Sequence, residues 1–450
     1  MKRIRTWASL VCGASLLAAC GGGGEDANTE RGALLAAQLL GKVTIAQIDA
    51  GTAASGLQAL SGTAQCDVDL SYITYVTRDP HGAPASATAG VLVPSGAGAA
   101  CTGDRPVVLY AHGTTMTQTK NLANVSSDSE GSLLMAMYAA QGFIVVAPNY
   151  LGYDRSSLSY HPWLHAESQA ADMIDGLRAA KAHLAAASPT RPSAKLLVTG
   201  YSQGGHVAMA THKVIERDHA SEFTVTASGP MSGPYNLVKF VDVAMGPGPI
   251  PGGATLFTPL LITSYQRAYG NIDTSLANVY QAPYVNAGDR LFPTDTPIDQ
   301  LIAQGKLPND PTFTQLFGAG GLITDAFRAG YATSNLRIAA QANTLLGWTP
   351  RRPGTVALCG GAQDPTVFFF NTVDLQADFA ARNFPAPAFD LETRATLPAG
   401  VVGDQIFGGF QAQKTAAGAN AAAQYHGTLV PPFCTALVRG LYQQVLAAGL

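Results

Sequence analysis

A mostly parallel α/β sheet with helices on both faces is the architecture this sequence predicts. Three observations lead there. Short runs that are apolar throughout, VVLYA, FIVVAP and KLLVTG, alternate with longer helical stretches; strands of that kind are buried on both faces. RPVVLYAHG ends in a loop, and in such sheets chemistry gathers at the carboxyl ends of the strands. One long proline- and glycine-rich stretch breaks the rhythm before TVALCGG (355–361) restores it.

The N-terminus reads as an address. Lys2, Arg3 and Arg5 precede the mostly apolar stretch Trp7 to Leu17, and Leu17-Ala18-Ala19-Cys20 follows. That is the charged, apolar and small-residue pattern of a secretory signal over 1–19, with an apolar part too short to span a bilayer. A cysteine at this point resembles the lipobox of bacterial lipoproteins, which implies lipidation of Cys20 and a membrane anchor. Gly21 in place of Asp resembles the outer-membrane sorting pattern, so an exported protein at the outer membrane or cell surface is expected. The polar, glycine-rich segment through Gly32 completes a flexible tether over 20–32,. An incidental cysteine after an ordinary signal is the alternative.

The remaining chain, 33–450, reads as one domain. Residues 33–60, rich in alanine and leucine, are expected to be helical. DLSYITYVTRD and ATAGVLVPS then alternate as two strands joined by the turn-like DPHGAP,. Four cysteines remain beyond Cys12 and Cys20, namely Cys66, Cys101, Cys359 and Cys434. An even number in an exported chain predicts two disulfides. An antiparallel hairpin brings its ends together, so Cys66–Cys101 is the first choice, leaving Cys359–Cys434.

RPVVLYAHG, FIVVAPNY, AKLLVTG and FTVTASGP then form the sheet pattern. Between them lie the helical SEGSLLMAMYAAQG, HAESQAADMIDGLRAAKAHLAAA and QGGHVAMATHKVIER,. Residues from about 238 to 350 lack an apolar strand and are expected to form a helical cap insertion over the strand ends. The last hundred residues, including LPAGVVGDQIFGGFQAQKTAAGANAAA, look loop-rich.

Composition narrows the function classes. Hydrophobic residues make up 47% and charged ones 13%, with a formal charge of −3 and no basic run beyond the extreme N-terminus. Nucleic acid binding needs clustered positive charge, so it is not expected.

The chemistry centres on GYSQG (200–204), which fits G-x-S-x-G between a predicted strand and a predicted helix. That context marks a nucleophile elbow, with Ser202 on a strained turn and Gly200 and Gly204 beside it for lack of bulk. A serine nucleophile needs a base and an orienting acid. In the chain order serine, acid, histidine, only His426 among nine histidines lies beyond His219, so it is the expected base. Asp364, in the loop directly after TVALCGG, is the expected acid; Asp404 is the alternative. The oxyanion donors are expected to be the backbone N–H of Gln203 and, after the strand ending in His112-Gly113, that of Thr114 rather than Thr115. His112 reads as a loop-fixing residue. His161 and His165 stand four apart, but Pro162 marks a helix start and no carboxylate cluster accompanies them. No metal and no cofactor is expected, since no CxxC pair occurs either.

YAHGTT, VAPNYLGYDRS, HPWLHAESQAADMIDGLRAA, VTGYSQGGHVAM and GGAQDPTV, in this order, resemble the secretory lipase family of α/β-hydrolases and its bacterial lipase-like lipoproteins. The resemblance implies the α/β-hydrolase fold, a Ser202–Asp364–His426 esterase acting on small-molecule or lipid esters, and a helical cap between the serine and aspartate strands. It departs from the yeast-type members around HGTT. A serine peptidase or acyltransferase of the same fold, and a non-catalytic binding lipoprotein, are the competing expectations.

Overall fold

The structure is a computed structural model that describes residues 30–187, 189–288 and 290–449. The signal reading of 1–19, the lipidation site Cys20 and most of the tether lie outside the described residues.

Among the described residues, nine strands form one sheet: β1 (Leu34–Val43), β2 (Asp67–Arg78), β3 (Pro84–Ser95), β4 (Gly103–Ala111), β5 (Ile144–Pro148), β6 (Thr190–Tyr201), β7 (Val225–Met231), β8 (Leu358–Gly360) and β9 (Ala388–Asp390). Their spatial order is β1-β2-β3-β5-β4-β6-β7-β8-β9. The first three strands are an antiparallel meander, and every pairing from β5 onward toward β9 is parallel. The crossovers between parallel strands carry helices, as parallel connection requires.

The sheet is covered on both faces because neighbouring residues of one strand enter different cores. Val107, Leu109 and Ala111 of β4 join one apolar cluster with Ala170, Met173 and Leu177 from helix Ala166–Ala187 and with Val207 and Val214 from helix Gln203–Asp218. Val108 and Tyr110 of the same strand join the other, with Leu134 from helix Ser129–Met137 and Phe433 and Leu437 from helix Val430–Ala447. The period of two in a strand thus feeds two cores, which is why these runs carry no polar alternation.

Between β7 and β8 lies a helical insertion that builds a third cluster of its own. It spans helix Leu237–Met245, helix Ala254–Tyr269 and helix Asn335–Ala342, with shorter turns between. Trp163 and Leu164, from the loop before helix Ala166–Ala187, pack into it.

Two expectations need correction. Residues 34–43 are a strand, not a helix: they pair antiparallel with β2 from Leu34↔Tyr75 to Val43↔Val68. Gly41 at φ 145° interrupts helical continuity, and cross-strand pairing outweighs the helix propensity of alanine and leucine. Helix begins only at Ile45, behind the Thr44 cap. The loop-rich tail likewise holds helix Val401–Ala417; its glycines hid it. Gly403 is there for room, since a Cβ would overlap the Pro398 carbonyl.

The disulfides are Cys66–Cys101, closing the β2–β3 hairpin, and Cys359–Cys434, joining β8 to the C-terminal helix.

One buried carboxyl gives the fold a pH dependence. Asp172 accepts from Tyr75 Oη (2.8 Å) and from Leu151 N (2.8 Å), so it fixes the loop after β5. Burial pushes its pKa up from 3.8 to about 7. A carboxyl raised in the folded state stabilises in its protonated form, fully below its unfolded value and progressively less as pH climbs through the folded one. The shift from 3.8 to about 7 corresponds to at most roughly 4 kcal/mol. The Tm of Asp172→Asn relative to wild type is therefore expected to rise between pH 4 and pH 8. Melting curves at both ends check this; a constant difference contradicts it.

Candidate active site

Ser202 sits between β6 and helix Gln203–Asp218 at φ 60°, ψ −123°, a region where a side-chain-bearing residue is strained. The turn holds because its flanks are empty. A Cβ on Gly200 or on Gly204 would overlap the Ala111 carbonyl oxygen of the neighbouring strand. Ser202 N donates to Met231 O at 3.0 Å, which pins the elbow to the end of β7.

Asp364 follows β8 and is almost fully buried, its side chain 1% exposed. Oδ1 accepts from Thr366 N (2.9 Å) and Val367 N (3.0 Å), so this oxygen caps the next turn. Oδ2 is left for His426 Nδ1 at 2.6 Å. The capping role and the partnership with histidine therefore coexist on one carboxylate. His426 Nε2 in turn lies 2.7 Å from Ser202 Oγ. Positions 202, 364 and 426 form one hydrogen-bonded chain, while Asp404 pairs with Arg394 away from it.

His426 is held by its neighbours rather than by a regular element. It lies in a π-helical turn, Tyr425–Leu429, a distortion frequent at functional sites. Tyr201, next to Ser202, donates its hydroxyl to the His426 carbonyl (2.6 Å). Tyr425 donates to Glu392 (2.7 Å), which also takes Lys414 Nζ at 2.6 and 2.8 Å. Burial opposes the charge of Glu392, but hydrogen bonds from Lys414, Tyr425 and Gln411 hold its carboxyl below the usual range. Sequence reasoning missed this brace, because its members lie far apart in the chain.

The HGTT loop closes the other side. A Cβ built on Gly113 would lie 3.8 Å from Ser202 Cβ, so the loop passes directly over Ser202. Gly113 N–H is committed to Glu130 Oε1 (2.9 Å). Burial works against charge on Glu130 as well, yet Lys120 keeps its carboxyl below the ordinary value. Among the described residues, the N–H groups of Gln203 and Thr114 have no protein acceptor. His112 bonds the Gly113 carbonyl at 2.7 Å and the Asn149 carbonyl at 3.1 Å. His161 and His165 do not converge: the first bonds Leu151 O and Gln203, the second Ser168.

A small apolar cavity of about 50 Å³ opens between Trp163 and the insertion, lined by Leu237, Phe240, Phe257, Leu261 and Leu336.

A parallel-rich sheet, a strained serine at the strand–helix elbow and a helical insertion before the β8 loop define an α/β-hydrolase, and the chain belongs to that class. No protein-family model and no curated protein matches the sequence. Among solved structures it is similar to the rice cell wall degrading esterase LipA from Xanthomonas oryzae. Identity is 30% and the TM-score 0.71, over 80% of this chain and 91% of LipA. A ligand-bound form of LipA matches at 29% identity and TM-score 0.75, over 93% and 99%. A candidate hydrolase of Legionella pneumophila, 20% identical at TM-score 0.69 over 92% and 98%, shares the fold. The likeness to LipA supports hydrolase activity on esters.

Proposed function

We propose that this protein is an exported serine esterase that cleaves carboxylic esters through an acyl-enzyme. The observation that carries the reading is the unbroken chain Ser202 Oγ–His426 Nε2 (2.7 Å), His426 Nδ1–Asp364 Oδ2 (2.6 Å). Asp364 is acceptor-only when ionised, which favours the proton on Nδ1 and leaves Nε2 free to take one from Ser202. Oγ attacks the ester carbonyl as that proton leaves. The oxyanion is met by the N–H groups of Gln203 and Thr114, with the positive end of helix Gln203–Asp218 behind them. His426 returns the proton to the departing alcohol, and water enters by the same steps to free the acid.

The apolar cavity is taken as the acyl site because Trp163, on its wall, bonds Thr114 of the HGTT loop at 3.1 Å; at about 50 Å³ it favours a short acyl group. Two disulfides support an oxidising compartment,; with the signal reading of 1–19 they support export, and the small residues before Cys20 support a lipid tether at that cysteine.

Initial rates on p-nitrophenyl esters from acetate to palmitate, beside p-nitroanilide amides, test the proposal. Hydrolysis of acetate and butyrate at higher kcat/KM than palmitate is expected, with no amide cleavage. Faster amide turnover would turn the assignment toward a peptidase.

A further inference from the structure

We propose that the segment His161-Pro162-Trp163 positions both N–H donors of the oxyanion hole, its imidazole holding the Gln203 side chain and its indole the Thr114 hydroxyl. The inference rests on the esterase reading above and adds a role for residues that touch no reacting atom.

Gln203 Nε2 lies 2.6 Å from His161 Nε2, and His161 Nδ1 lies 2.7 Å from the Leu151 carbonyl. That carbonyl can only accept, so the ring's proton is on Nδ1 and the Nε2 lone pair faces the Gln203 amide. Burial holds the His161 pKa down to about 3, so the ring stays a neutral acceptor wherever an esterase of this type works. Its orientation is fixed by rings on two sides: Tyr150 stacks at 5.5 Å and Tyr153 leans on it at 4.6 Å. Two residues on, Trp163 Nε1 donates to Thr114 Oγ1 at 3.1 Å. The indole is itself stacked on Phe257 of the insertion at 5.8 Å.

The peptide groups around Thr114 are pinned as well. Tyr150 Oη donates to the His112 carbonyl (3.0 Å) and Tyr153 Oη to the Thr115 carbonyl (2.8 Å). One short loop and two tyrosines therefore grip the HGTT backbone and the first residue of the nucleophile helix at once. Donors in an oxyanion hole work by being aimed before charge develops, and small misplacements cost rate rather than substrate affinity. Loosening a side chain leaves its backbone N–H present but less well aimed. The expected loss is thus about tenfold, below the 10²–10³ that follows removal of a donor.

The test uses the full chain and two pairs of substitutions, His161→Phe with Gln203→Leu and Trp163→Phe with Thr114→Val, singly and combined within each pair. With p-nitrophenyl butyrate, each single variant is expected to lose about tenfold in kcat at a KM within about twofold of wild type. The inhibition constant of a trifluoromethyl ketone, which forms the tetrahedral oxyanion, is expected to rise by the same factor. Each double variant should be no worse than its poorer single, because the contact to the oxyanion donor is the one that both changes share. Should His161→Phe or Trp163→Phe fail to fold, Gln203→Leu and Thr114→Val alone carry the kcat and inhibitor readouts. A kcat within twofold of wild type in folded variants, or losses that multiply within a pair, overturns the inference. Fluorophosphonate uptake by wild type separates the two levels: an unlabelled wild type overturns the esterase reading and this one together, whereas a labelled wild type with unaltered variants overturns this one alone.

Discussion

Replacing His426 by alanine is expected to lower kcat on a p-nitrophenyl ester by about 10⁴–10⁶, with the fold intact. The histidine is only 13% exposed, yet its ring bonds Ser202 and Asp364 rather than filling a core, so the loss is chemical and not structural. Ser202→Ala should match it, and the double variant should be no worse, since either change disables the same relay. Asp364→Asn should cost about 10⁴ for a different reason. An asparagine oxygen can still cap Thr366 and Val367, but its amide then donates to Nδ1, and the imidazole proton moves to the nitrogen facing the serine. Equal melting temperatures with these unequal kcat losses are the expected outcome. A His426→Ala enzyme within tenfold of wild type would mean that another base serves Ser202.

The second large effect concerns Cys359 and Cys434. Their bond closes a loop of sequence separation 75, and in the chain-entropy account removing it costs roughly 4 kcal/mol. Cys66–Cys101, with separation 35, is worth nearly as much on that account, because loop entropy grows only logarithmically. The two differ in what they connect. Cys359 is the middle residue of the strand that leads into Asp364, and Cys434 sits in the helix that follows His426, so their bond ties together the segments that carry these two residues. Cys359→Ala/Cys434→Ala is expected to lose both stability and kcat at 25 °C. Cys66→Ala/Cys101→Ala is expected to lose stability alone. Urea unfolding midpoints and kcat on the same preparations check this; a destabilised Cys359/Cys434 variant with wild-type kcat contradicts it.

Much of the candidate site was legible, from local signals at Ser202 and Asp364 and from chain order at His426. Ser202 stands in G-x-S-x-G between an apolar run and a helix, Asp364 directly follows an apolar run, and His426 had no competitor downstream. The fold brings the three positions into one hydrogen-bonded chain. The hairpin cysteines were legible for a similar reason, since an antiparallel turn brings its ends together. What escaped were pairings between distant segments. Leu34–Val43 becomes a strand only because β2 offers it an edge, and nothing within the segment says so. Glu130 looks like a surface residue at a helix start, and its bond to Gly113 depends on the sheet placing β4 beside that helix. His161 could be read as a metal ligand or a loop residue, and its contact with Gln203 is visible only once the loop is folded against the elbow. The glycines of Val401–Ala417 masked a helix that tertiary packing sustains.

Treatment of the intact protein with a fluorophosphonate, followed by mass spectrometry of its peptides, addresses the central claim most directly. One covalent adduct on Ser202 is expected in the wild type, and none at that serine over the same time in His426→Ala. A folded wild type that takes up no label, or takes it on another residue, would contradict the account.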